Sequence, residues 1–146
     1  MIAAVHIRAA RSADAAEIAA LSVELGYPAT AQEISSRLSA LLALADRFVA
    51  VAVGPDSALV GWVAAERRLL LESGERAELV GLVVASAARR TGIGAALVAA
   101  AERWAARQGL GSMVVRSNVV RAESHPFYES LGYIRKKTQH TYEKRL

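Results

Sequence analysis

Leu82-Val83-Val84-Ala85-Ser86-Ala87-Ala88-Arg89-Arg90-Thr91-Gly92-Ile93-Gly94 is the stretch that decides the fold. A short apolar run of strand type enters a basic, glycine-containing turn. Ile93, Leu97, Ala100 and Trp104 then recur at helical spacing, so the turn opens an amphipathic helix. The start of a helix offers unpaired backbone N–H groups and a partial positive charge. Gly92 and Gly94 lack side chains, so an anion can approach that backbone closely. Arg89 and Arg90 add charge. A bare Gly-x-Gly reads as an ordinary strand-to-helix turn with solvated arginines. The full Arg-x-x-Gly-x-Gly between a strand and a helix favours anion binding. The turn is not a P-loop, because GxxxxGK[ST] is missing. It is not a dinucleotide fingerprint either: Leu97 stands where the third glycine belongs, and no acid ends the following strand.

Working outward, residues 5–10 read as a first strand. Ser12 and Asp14 open a helix carrying Ile18, Leu21 and Leu25 on one face, and Gly26, Tyr27 and Pro28 break it. Thr30-Ala31-Gln32-Glu33 is a capping box for a second helix with Ile34, Leu38 and Leu41. Residues 47–53 and 58–66 form a hairpin across Gly54-Pro55-Asp56-Ser57. Residues 67–76 read as a charged loop, in part a strand extension. Residues 78–85 form a strand buried on both faces. The helix runs over 92–108, followed by a strand over 112–117. A short helix has Ser124 as its cap, Pro126 in its first turn and Gly132 at its end. Residues 133–145 supply one or two closing strands. The order is β-α-α-β-β-β-α-β-α-β, with an optional last strand. The expectation is one α+β domain over 1–146, a mixed and mostly antiparallel sheet flanked by about four helices.

Hydrophobic residues make up 53% of the 146 residues and aromatics only 5%, so the core is built from Ala, Val, Leu and Ile. With no cysteine in the chain, disulfides, thiolate metal sites and a Cys nucleophile are excluded. No His/Asp/Glu spacing suits a metal, so none is expected. The first residues have neither signal-peptide nor anchor character. Cytoplasmic residence is the expectation. The net charge of +4 favours an anionic partner. Nucleic acid is disfavoured, because the basic residues form no long run and no aromatics interleave with them. Leu69, Leu70 and Leu71 suggest a sheet edge or a homodimer contact.

A second cluster is Arg116-Ser117-Asn118-Val119-Val120-Arg121, followed by His125-Pro126-Phe127-Tyr128-Glu129-Ser130-Leu131-Gly132-Tyr133. Together the two motifs resemble the GNAT superfamily of acetyl-coenzyme A dependent N-acetyltransferases. In that family an Arg/Gln-x-x-Gly-x-Gly/Ala turn holds the coenzyme A pyrophosphate. Arg89, Gly92 and Gly94 match it, with Arg90, Thr91, Ile93 and Ala95 supplying intervening amides. Leu82, Val83 and Val84 match the strand that pairs with the pantetheine arm. Asn118, Tyr128, Gly132 and Tyr133 match the family's second motif. Ser117, Asn118, Arg121, His125, Phe127 and Tyr128 fit a fuller version found in one branch, with Ser124 replacing an Ala. The resemblance implies an acetyl-coenzyme A co-substrate and an amine acceptor, with Asn118, Arg121 and His125 as further cofactor contacts.

Direct attack of the amine on the thioester is favoured over an acyl-enzyme route, for no Cys or Ser–His nucleophile is set up. An alkyl amine titrates near ~10 and arrives protonated, so it needs a proton acceptor. Glu78 lies four residues before Leu82, the spacing of the general base in the histone-acetyltransferase branch. Regular alternation puts Glu78, Val80, Leu82 and Val84 on one face, with apolar neighbours raising the acid's pKa. A bulge at Gly81 would change that register. A solvated strand-end Glu, with a water chain as base, is the plainer reading. The Val84 N–H suits the oxyanion. Tyr128 is the family-matched acid for the leaving thiolate, against a plain core aromatic. His125 reads as a helix cap, a phosphate contact or a base, the first two preferred. Arg121 reads as a phosphate contact or a loop anchor. Glu24, Glu72 and Glu75 have the charge to attract a cationic acceptor. A small-molecule amine is the preferred acceptor. The alternatives are a protein or peptide acceptor, or an acyl-coenzyme A binding module with weak catalysis; an aminoalkylphosphonate is a further, weaker acceptor reading.

Overall fold

The computed structural model describes residues 5–24, 26–116 and 124–146. They fall into two compact units, residues 1–115 and 116–146. The first unit holds a five-stranded sheet in the order β1-β2-β3-β4-β5. Its strands are β1 His6–Ala9, β2 Arg47–Val53, β3 Leu59–Leu70, β4 Gly74–Val84 and β5 Met113–Val115. Neighbours are antiparallel except β4 and β5, which run parallel. The helices are α1 Ala15–Glu24, α2 Ala31–Leu42 and α3 Ile93–Arg107, with α4 Ser124–Ser130 in the second unit. The mixed, mostly antiparallel sheet and the four helices agree with the sequence reading.

Cross-strand partners share a face, so the register sorts the core into two layers. Phe48, Ala50, Val63 and Ala65 share the face covered by α3, where Phe48 stacks on Trp104 at 5.6 Å. Val49, Val51, Trp62 and Val83 lie on the other face, packed with Ile18, Leu21 and Leu38 of α1 and α2. The Thr30 capping box forms as read: the Glu33 amide donates to Thr30 Oγ1, and the Thr30 amide donates to Glu33 Oε1. Ser12 does not cap α1. It starts a 3-10 turn, and Asp14 accepts the Arg11 amide and a two-pronged contact from Arg8 instead.

Three further expectations are corrected. Residues 67–76 are not mainly a loop: β3 and β4 continue as a ladder from Arg67–Ala77 to Leu70–Gly74. Gly74 turns there at positive φ, and Arg67 pairs with Glu75 across the arm. Charge hid the ladder because, among the described residues, this arm has no third strand to bury it. Leu69 and Leu71 project from it, both exposed. Secondly, β4 is not buried on both faces along its length, since Val80 is half exposed. Thirdly, no strand forms over 133–146, and the residues beyond Tyr133 are exposed. This mostly charged and polar segment meets no ladder partner among the described residues, and strand propensity alone does not order a lone segment. No described helix is long and apolar enough to cross a membrane.

Candidate active site

β4 carries one set of candidate residues. Ala64 faces Gly81 while Ala65 faces Leu79, so Val80 has no residue opposite it and forms a bulge. That extra residue flips the alternation. Leu79, Leu82 and Val84 share the α3 face, whereas Glu78, Gly81 and Val83 share the α1/α2 face. The expected common face for Glu78, Leu82 and Val84 is therefore corrected by one inserted residue. Glu78 is buried, but its neighbours are not apolar as expected. Arg68 approaches its carboxylate at 3.3 Å and Arg76 at 3.6 Å. Both arginines sit in the arm read as a loop, so only the ladder Arg68–Arg76 beside Glu66–Glu78 brings them there.

The two parallel strands part just beyond Glu78. β5 pairs with Ala77, Glu78 and Leu79; from residue 80 to 84 that edge of β4 has no strand partner among the described residues. The Ala85 amide donates to Val60 O on β3 at 2.8 Å. By alternation the Val84 N–H points the other way, to the open edge. That edge leads into a 3-10 turn, Ser86–Ala88, and then the basic turn.

The turn has the shape an anion requires. Arg90 adopts φ +62° and Gly92 φ +85°, so the backbone reverses tightly before α3. The first bond of α3 runs from the Ala96 amide to Gly92 O, leaving the amides of Ile93, Gly94 and Ala95 ahead of the hydrogen-bonded ladder. A Cβ on Gly92 would meet nothing within 4 Å among the described residues. Arg89, Arg90 and Thr91 are exposed at its rim. The Thr91 hydroxyl donates to Ala88 O and fixes the turn. These residues fit a diphosphate, and the open β4 edge fits an extended arm with amide groups. Among the described residues no group of His, Asp or Glu side chains is arranged to hold a metal ion.

In the second unit Tyr128 is half-buried on α4. Its ring meets Phe127 edge-on at 5.0 Å and Tyr133 at 5.9 Å. Gly132 at φ +94° ends the helix, with the Tyr133 amide donating to Tyr128 O and the Gly132 amide to Glu129 O. His125 lies in the first turn of the same helix. Asn118 and Arg121, like Ser117, lie outside the described residues. The sequence reading missed Arg68 and Arg76 beside Glu78. It read Glu24 as charge for a cationic acceptor, whereas the Glu24 carboxylate accepts the Ser86 amide at the 3-10 turn.

A family model described as the acetyltransferase (GNAT) family matches residues 15–133. An aminoglycoside N(6')-acetyltransferase type 1 from Klebsiella aerogenes is 30% identical over 133 residues, 87% of this chain and 88% of that protein. The aminoglycoside 6'-N-acetyltransferase AAC(6')-Ih from Acinetobacter baumannii superposes with a TM-score of 0.86 at 20% identity, over 98% of this chain and 99% of that one. The aminoglycoside N-acetyltransferase AAC(6')-Iy, in complex with CoA, superposes with a TM-score of 0.89 at 19% identity, over 100% of this chain and 98% of that one. The motif residues, the parted strands and the family match over most of the chain agree: the protein belongs to the GNAT family and is an acetyl-coenzyme A dependent N-acetyltransferase.

Proposed function

We propose that this enzyme acetylates a primary amine on a cationic small molecule of the aminosugar kind. The observation that carries the acceptor class is the division of charge along the chain. Residues 1–80 hold ten acidic and seven basic side chains, and residues 81–146 hold four acidic and eleven basic ones. The basic half contains the diphosphate turn and suits a polyanionic donor. The acidic half contains α1, α2 and the β3–β4 arm, and suits a polycation. The 30% identity to an aminoglycoside N(6')-acetyltransferase supports the same class. The family match spans both compact units, which supports one acetyltransferase domain. A coenzyme A thioester donor implies the cytoplasm as the working compartment.

The donor supplies an activated acetyl thioester. In this reading Arg89, Arg90 and the amides from Thr91 to Ala95 hold its diphosphate. The β4 edge at Leu82, Val83 and Val84 aligns its arm, and Asn118, Arg121 and His125 add contacts. Glu78 takes the proton of the acceptor ammonium, directly or through water, with Arg68 and Arg76 orienting its oxygens. The amine then forms the new N–C bond as the C–S bond breaks. The Val84 N–H donates to the thioester oxygen where charge develops. The Tyr128 hydroxyl gives its proton to the leaving sulfur, and the second proton of the acylated nitrogen leaves through solvent, which reprotonates Tyr128.

The test is a thiol-release screen with acetyl-coenzyme A against aminosugars, simple diamines, N-terminal peptides and aminoalkylphosphonates. The expected result is turnover on aminosugars. Turnover confined to peptides would establish a protein acceptor. Binding of acetyl-coenzyme A with no turnover on any amine would support a binding module. A Gly92→Glu control is expected to lose the thermal stabilisation that acetyl-coenzyme A gives the wild type by mass action.

A further inference from the structure

Glu24 stands at an unfavourable place for an acid. It is the last residue of α1, where the helix dipole presents its negative end. The chain turns at Gly26: the Tyr27 amide donates to Ser22 O and the Gly26 amide to Val23 O, with Gly26 at φ +85°. This ending holds the last turn in a fixed direction. The carboxylate is directed at a donor outside the helix. Glu24 Oε1 accepts the Ser86 amide at 2.9 Å, across 62 residues of sequence. That bond, joined by the Ser86 hydroxyl and by the charge of Arg89, holds the Glu24 carboxyl below its ordinary value. Ser86 opens the 3-10 turn that leads directly to Arg89 and Gly92. A second carboxylate on the same helix does similar work: Glu17 Oε2 accepts the Leu59 amide at 2.9 Å. Leu59 opens β3 and Ser86 follows the end of β4, where the Ala85 amide donates to Val60 O. Two residues seven apart lie on one side of a helix. Glu17 and Glu24 thus tie α1 to both strands at that end.

We propose that Glu24 is a positioning residue for the donor: its carboxylate fixes the Ser86 end of the turn, so that the Arg89–Gly94 backbone is already in its diphosphate-binding shape before acetyl-coenzyme A arrives. The proposal rests on the reading of that turn as the diphosphate site. A turn held in advance loses less freedom on binding, so the bond contributes to donor affinity without touching the donor.

The experiment measures acetyl-coenzyme A binding by calorimetry for the wild type, Glu24→Ala, Glu24→Gln and Gly92→Glu, with the melting temperature of each free protein. The expected result for Glu24→Ala is a Kd for acetyl-coenzyme A weaker by roughly 10-fold, the scale of one charge-assisted hydrogen bond. Its free-protein melting temperature changes little, because the bond is exposed. Glu24→Gln keeps a carbonyl acceptor and is expected to recover most of the affinity. Wild-type affinity in Glu24→Ala, with binding abolished in Gly92→Glu, overturns the proposal and leaves the turn assignment standing. Unchanged affinity in both variants overturns both. Equal loss in the Ala and Gln variants together with a lowered melting temperature also overturns it, since Glu24 is then only a structural support.

Discussion

The indole of Trp62 lies against Gly81 so closely that a Cβ built on the glycine would stand 2.6 Å from Trp62 Cζ3 and 2.8 Å from Cη2. The two residues are diagonal neighbours on the α1/α2 face, directly after the Val80 bulge. The missing side chain admits the ring, and the ring fills the space that the bulge opens. Gly81→Ala is therefore expected to destabilise the fold by about 1–3 kcal/mol through overpacking. Chemical denaturation measures it. In a Trp62→Leu background the same glycine substitution is expected to cost clearly less, because the clashing atoms are gone. An equal cost in both backgrounds contradicts the contact.

Asp14 is buried and accepts both terminal nitrogens of Arg8, at 2.8 and 2.9 Å, and the Arg11 amide at 2.7 Å. The Arg8 hydrogen bonds hold its carboxyl below the ordinary value. A depressed folded-state pKa gives stability that is present above the ordinary carboxylate range and lost as pH falls through the folded value. Asp14→Asn is expected to cost roughly 2 kcal/mol at neutral pH. The gap between variant and wild type should narrow as pH falls below ~4. Denaturation curves at a series of pH values check the sign; a gap that widens in acid contradicts it.

Glu78 sits between Arg68 and Arg76, so removing its charge affects both chemistry and packing. Glu78→Gln is expected to lower kcat/KM near neutral pH by roughly 10²-fold, the low end of general base catalysis. Acetyl-coenzyme A affinity should stay near wild type. The deficit should shrink at high pH, where the amine loses its proton unaided. A pH–rate profile parallel to that of the wild type assigns the proton transfer to water.

Tyr128 meets Phe127 and Tyr133 through its ring. Tyr128→Phe keeps those contacts and removes only the hydroxyl, so the melting temperature is expected to hold. If the hydroxyl protonates the leaving sulfur, kcat falls by roughly 10²-fold or more, while donor affinity changes far less. Steady-state turnover and calorimetry separate the two. Normal turnover in the variant leaves Tyr128 a packing residue.

The sequence by itself determined the glycine turn ahead of α3, the capped second helix, the hairpin of β2 and β3, and the family. Each of these is a local pattern. Arg-x-x-Gly-x-Gly states its backbone requirement in glycines. Thr30 and Glu33 satisfy each other within one helical turn, and Gly54-Pro55-Asp56-Ser57 between two apolar runs marks the hairpin. Tertiary structure alone decided which side chains meet across the sheet. Gly81 marked a place where a bulge could form, but only the pairing of β3 with β4 decided that Val80 bulges and so set the face on which Glu78 lies. Arg68 and Arg76 reach Glu78 because a charged segment zips into a ladder, a choice made by pairing between strands. Glu24 finds Ser86 across 62 residues. Its position at the wrong end of a helix was visible in the sequence, but the amide that compensates it exists only once α1 has docked on the sheet.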